Sequence, residues 1–134
     1  MTVQLGTTLR NNMLDQVEST TGTSANLDIR TGAQPANCAA ADSGSLLVTI
    51  ALPSDWMAAA SSGSKAKSGT WSATASGTGT AAHFRIKDST GTTCHLQGSV
   101  TVGGGGGDMT VDNTSINSGQ TVTVNTFTLN AGNA

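Results

Sequence analysis

Aromatic residues are scarce in this 134-residue chain: two Trp, two Phe and no Tyr. Charge is scarce too, at 10% of residues, with six Lys and Arg against eight Asp and Glu. The basic residues are scattered (Arg10, Arg30, Lys65, Lys67, Arg85, Lys87). No basic cluster interleaved with aromatics exists, which speaks against nucleic acid as a partner. No run approaches the ~18–20 apolar residues that a membrane helix needs, so no membrane partner is expected. The start, MTVQLGTTLRNN, lacks the basic n-region and apolar h-region of a secretory leader. Only two Pro and two Cys occur. Cys38 and Cys94 can pair, but with no leader a reducing cytoplasm is expected, and two small buried thiols are the simpler reading.

Large aliphatic residues are also few. Leu, Ile, Val and Phe total 23, below the level at which disorder becomes a concern. Disorder also needs strong net charge, and the chain carries only −2. What fills the sequence is Thr, Ser, Gly and Ala. Low charge and abundant Thr suit a β-protein with a thin core, one that gains from burial against subunits or a scaffold because ordering each residue costs roughly 1–2 kcal/mol of backbone entropy. The length suits one domain over residues 1–134.

Leu9, Met13, Leu14 and Val17 fall at i, i+4, i+5 and i+8, which predicts a short helix with these residues on its inner face and Thr7 or Thr8 as its cap. Residues 25–31 alternate, with Leu27 and Ile29 inward and Asp28 and Arg30 toward water. Residues 32–44 read as a loop crossing between sheets. Ser45–Leu52 is the most apolar run and predicts a strand covered on both faces. Trp56 and Met57, after Pro53-Ser54-Asp55, are expected in a short helical insert. Residues 61–68 (SSGSKAKS) are expected to be a solvated loop, and residues 70–75 a strand.

The richest stretch is 79–102. It alternates, breaks at Asp88-Ser89-Thr90-Gly91 and resumes, the pattern of a β-hairpin. Ala82, Phe84 and Ile86 face the core in this reading. His83, Arg85 and Lys87 form a basic stripe on the opposite face, a candidate contact with an acidic protein surface. Gly103–Gly107 cannot be a stable strand and is expected to be a hinge or tight crossing. In residues 121–129, Val122 and Val124 share one face while Phe127 and Leu129 share the other, which places a bulge near Asn125-Thr126. One helix, seven or eight strands and turns every 8–12 residues predict a mainly β fold, an antiparallel β-sandwich or jelly roll with a short N-terminal helical arm.

Chemistry is hard to assemble from this inventory. Cys94 and His95 are adjacent, and neighbours on a strand point to opposite faces. Cys38, Cys94, His83 and His95 lack zinc-ligand spacing. Asp108 and Asp112 could share a face, but a sugar cleft would want more aromatics. The glycine run lacks the Lys-Ser/Thr of a phosphate loop. No enzyme activity, cofactor or metal is expected.

The order of pieces resembles the small virion proteins of tailed bacteriophages that decorate or cement the head. The pieces are the helix TTLRNNMLDQV, then LDIRTGAQPA, GSLLVTIAL, the turn WMAAA, GTAAHFRIKDSTG, and DMTVDNTSINSGQTVTVNTFTL, spanning nearly the whole chain. The nearest likeness is to jelly-roll cement proteins of short-tailed phages. The resemblance implies a non-enzymatic protein of the virion's capsid surface, assembled in the host cytoplasm, that binds the major capsid protein and makes homo-oligomer contacts. Residues before the helix and Asn130-Ala131-Gly132-Asn133-Ala134 would be free to reach neighbours. A carbohydrate-binding or adhesion module of a tail or fibre is the alternative, and would present Trp56 and Trp71 as an aromatic platform.

Overall fold

The computed structural model describes residues 3–132. The chain order is a helix α1 (Thr7–Thr21) followed by β1 (Asn26–Arg30), β2 (Leu46–Ala51), β3 (Ser64–Ala66), β4 (Ser72–Thr74), β5 (Gly79–Thr80), β6 (His83–Lys87), β7 (Cys94–Val102), β8 (Met109–Val111), β9 (Ser115–Ile116) and β10 (Thr121–Asn130). The fold is mainly β with one helix, as the alternation predicts. Asn133 and Ala134, at the end of the C-terminal tail, lie outside the described residues, whereas Asn130 is the last residue of β10 and pairs with Ser64.

One mixed sheet dominates, in the order β2-β1-β6-β7-β8-β10-β3, with β4 also on β10; β5 and β9 form a separate ribbon. The sheet curls on itself. The Leu47 carbonyl on β2 accepts the amides of Ser76 and Gly77, just after β4, at 2.9 and 3.0 Å. An outer strand of the sheet thereby meets the segment leaving the strand that flanks β10. The aromatic residues line the inside as a chain of contacts: Trp56 to Trp71 at 6.0 Å, Trp71 to Phe127 at 5.8 Å, and Phe127 to Phe84 edge-on at 5.4 Å. With so few large residues, all four aromatics go to the core.

The sheet is not wholly antiparallel. β7 and β8 run parallel, Val100 beside Met109 and Val102 beside Val111. Parallel neighbours ordinarily need a crossover of a dozen or more residues. Here residues 103–108 suffice because they are nearly all glycine. Gly104 and Gly106 have φ of +85° and +80°, and a Cβ on Gly105 or Gly107 would meet Thr101 at 2.7 or 2.8 Å. The glycine run is thus the tight crossing expected, and its bare backbone folds directly onto the strand it has left.

The hairpin expected over residues 79–102 forms as β6 and β7, from His83 opposite Ser99 to Lys87 opposite Cys94, with Phe84 opposite Gly98 and Arg85 opposite Gln97; its expected first residues, Gly79 and Thr80, pair with β9 instead. Asp88 organises its turn, its carboxylate accepting Thr90 Oγ1 and the Thr92 amide at 2.7 and 3.1 Å. β10 carries the expected irregularity between Val124 and Thr126, which lets Val122, Val124 and Phe127 all reach the core.

Three local expectations are corrected. Trp56 and Met57 lie in extended chain, Met57 bridging Lys67, and not in a helical insert. Residues 61–68 contain β3 and hold Lys65 at 2% exposure. The helix starts without a side-chain cap, from Gly6, and only part of the expected face turns inward: Leu14 is buried and Val17 packs against the core, but Leu9 and Met13 are each 50% exposed.

Candidate functional site

The basic stripe of the hairpin is where sequence reasoning placed a partner contact. His83, Arg85 and Lys87 do share one face, but they are 1%, 2% and 6% exposed. The expectation of a water-facing stripe is therefore corrected. Alternation tells which side of a strand a residue occupies; it does not tell whether that side is covered. Residues 32–44 cover it.

The cover is built from the loop's own carbonyls, which need donors when they pack against a sheet. Arg85 supplies four. Its guanidinium donates to the carbonyls of Asn37, Cys38 and Ala40 at 3.3, 2.8 and 3.0 Å and to Asp42 Oδ1 at 2.6 Å. His83 Nδ1 lies 2.8 Å from the Gly32 carbonyl, and Gln97 Nε2 donates to Pro35 at 2.7 Å. Arg30 reaches the Ser43 carbonyl at 2.9 Å. Asp28 and Arg30, expected in water, belong to the same covered face.

Two carboxylates balance the cations. Lys87 Nζ sits 2.6 Å from Asp42 and 3.2 Å from Asp28, whose other oxygen accepts Thr49 Oγ1 at 2.7 Å. β1 and β6 pair so that Asp28 stands opposite Arg85. The Lys87 and Arg85 hydrogen bonds hold the Asp42 carboxyl below its ordinary range, against a smaller opposing effect of burial. A disulfide between Cys38 and Cys94 completes the attachment. The reading of these cysteines as two thiols is thus corrected. Cys94 enters β7 opposite Lys87, on the hairpin end over which the loop passes.

A second polar assembly holds α1. Asn11, Asp15 and Glu18 fall at i, i+4 and i+7 and accept the amides of Gly63, Ala60 and Met57 at 2.9, 2.9 and 2.8 Å. Lys65 Nζ reaches Asp15 at 2.7 Å and Glu18 at 3.6 Å. The Lys65 hydrogen bond, with the Ala60 amide, lowers the Asp15 carboxyl from its ordinary value. Sequence reasoning missed this site. The legible signal was the polar spacing 11-15-18, which competes with the apolar spacing 9-13-17 for the inner face.

The residues weighed for chemistry in the sequence have partners within the fold. Cys94 is in a disulfide, and His83 is spent on a loop carbonyl. Asp108 accepts the Ser99 amide at 2.9 Å, and Asp112 accepts the Thr123 amide at 3.2 Å. No group of three or more His, Cys, Asp or Glu is placed to hold a metal ion among the described residues. Trp56 and Trp71 are fully buried, their indole nitrogens donating to Gly22 and Ser68.

Comparison with family models, with curated proteins and with solved structures finds no match to this chain.

Proposed function

We propose that this is a structural virion protein that binds and stabilises a phage capsid lattice, a decoration or cement protein whose partners are the major capsid protein and further copies of itself. The curled mainly β fold is read as a variant of the jelly roll. The order of sequence pieces supports this reading, and one structural observation carries it. Each of the six basic side chains is bonded within the chain: Arg10 to Ala131, Arg30 to Ser43, Lys65 to Asp15, Lys67 to Gly69, and Arg85 and Lys87 to Asp42. A surface so poor in free cations has little hold on polyanions, and it suits contact by shape with another protein. With His83, Arg85 and Lys87 covered, that contact falls on other residues. No residue is assigned a catalytic role in this reading.

The adhesion-module alternative depends on an exposed aromatic platform. Both tryptophans are in the core, so that reading has no binding face.

Mixing the purified protein with heads that lack it tests the proposal. Saturable binding and greater resistance of the heads to heat are expected. No binding to heads, with binding to glycans instead, would overturn it.

A further inference from the structure

β8 has three residues, yet it lies between β7 with nine and β10 with ten. Two strand spacings, about 10 Å, separate β7 from β10 across it. Past the start of β8 the two long strands run on with no strand paired between them among the described residues. The break is a cavity of about 350 Å³, with Leu96 and Gln97 on its β7 side, Leu129 and Asn130 on its β10 side, and Asp108 at the end where β8 begins.

Both walls of the break present main chain. The Val100 amide bonds to Ala82, so Gly98 and Leu96, in step with it, turn toward β6 and Gln97 turns toward the break. Phe127 and Ala131 bond to Lys67 and Gly63 on the β3 side, so Asn130, one residue out of step, turns toward the break from β10. Among the described residues, the N–H and C=O of Gln97 and of Asn130 meet no partner. Gln97 Oε1 is buried and also has no partner. One unpaired edge is a template for a further strand. Two such edges, one strand's width apart, match an extended chain bonded on both sides.

Apolarity and charge narrow what that chain carries. Phe127 is buried, and Leu96 and Leu129 pack against the core beside it, so a residue turned inward from the break meets apolar groups. Asp108 is exposed, and its Oδ2 accepts the Ser99 amide and hydroxyl at 2.9 and 3.0 Å. No cation lies within ion-pair distance of it among the described residues. The chain's own six basic side chains are bonded elsewhere, so a second copy brings none to it. The complementary charge belongs to a different protein.

We propose that the break between β7 and β10 is a strand-acceptor site. It takes an extended segment of a partner protein, about three or four residues long, with an apolar side chain turned to the core and a lysine or arginine against Asp108. This goes beyond the lattice reading and is tested without heads, so the two can fail separately.

A ribosome-displayed library of random heptapeptides is the probe. Selected sequences are expected to alternate apolar and polar residues, to carry Lys or Arg and to lack Asp and Glu. A synthesised winner is expected to slow amide exchange at Gln97 and Asn130 by about tenfold or more. N-methylation at any one central peptide residue is expected to weaken it by about tenfold, because both of its edges are bonded. Asp108→Asn is expected to weaken it by about fivefold at low salt, a difference that vanishes in about 1 M salt. Asn130→Pro removes an N–H that faces no partner in the fold, a position where proline is tolerated. It is expected to abolish binding while the near-ultraviolet signal of the buried tryptophans stays native. The proposal is overturned if nothing is selected, or if the winner leaves the Gln97 and Asn130 amides unchanged. It is equally overturned by a winner indifferent to N-methylation or to Asp108→Asn. Slower exchange of the same two amides with rising concentration of the protein alone would assign the break to a second copy and overturn it too.

Discussion

At the residue scale, the strongest commitments are the buried cations. Arg85 spans three carbonyls and one carboxylate with a planar fork that no other side chain reproduces. Replacing it leaves the loop carbonyls without donors and the cation cluster without its centre. Arg85→Met is expected to cost about 2–4 kcal/mol in urea unfolding, with Arg85→Lys recovering only part. Acid acts on the same groups. The carboxyls of Asp42, Asp15 and Asp88 are all lowered in the folded chain, by Lys87, by Lys65, and by the Thr90 hydroxyl with the turn amides. A lowered folded value means that the unfolded state binds protons first as pH falls. The stabilisation is therefore whole above the ordinary carboxylate range and is lost as pH drops through about 4 and below. Unfolding midpoints measured between neutral pH and about 3 should fall in that window, and Asp42→Asn should flatten the slope.

At the element scale, the glycine crossing and the helix show opposite degrees of legibility. The five glycines were readable as a tight crossing because a bare backbone excludes a stable strand. That the crossing joins parallel strands was not readable, since it depends on Asp108 and Met109 returning beside Ser99 and Val100. The glycines are unequal in a way that can be measured. A Cβ at Gly103 meets nothing within 4 Å, while one at Gly107 comes to 2.8 Å from Thr101 Oγ1 and 2.9 Å from its backbone nitrogen. Gly107→Ala is expected to lower stability by about 1–3 kcal/mol and Gly103→Ala by less than about 0.5, compared by thermal melting. For α1, periodicity located the helix and rightly turned Leu14 and Val17 inward, but Leu9 and Met13 face out. Hydrophobic spacing was outweighed by three side-chain acceptors that satisfy the amides of Met57, Ala60 and Gly63.

At the scale of the whole molecule, a thin core is supplemented by attachments between distant parts of the chain. The disulfide closes a separation of 56 residues, for which chain entropy suggests about 4 kcal/mol. The loop it anchors is also held by Arg85, Lys87, His83, Gln97 and Arg30, so reduction is expected to destabilise the protein without unfolding it. With Cys38 and Cys94 both changed to Ser, the melting temperature should drop by about 8–20 °C, while the tryptophan environment at room temperature stays native. An unchanged melting temperature would show that the polar contacts alone fix the loop.

Alternation, turn residues and composition were enough to determine a mainly β chain with one helix, the hairpin turning at Asp88–Gly91, the bulge in β10 and the tight glycine crossing. These depend on local geometry, and local geometry is written in neighbouring residues. Only the tertiary structure decided that His83, Arg85 and Lys87 lie beneath residues 32–44, that Cys38 meets Cys94, and that Leu9 and Met13 face outward. Each of these depends on what a distant segment brings to a face. A strand pattern specifies two faces, and which of them stays wet is settled by whatever else in the chain needs donors, acceptors or cover.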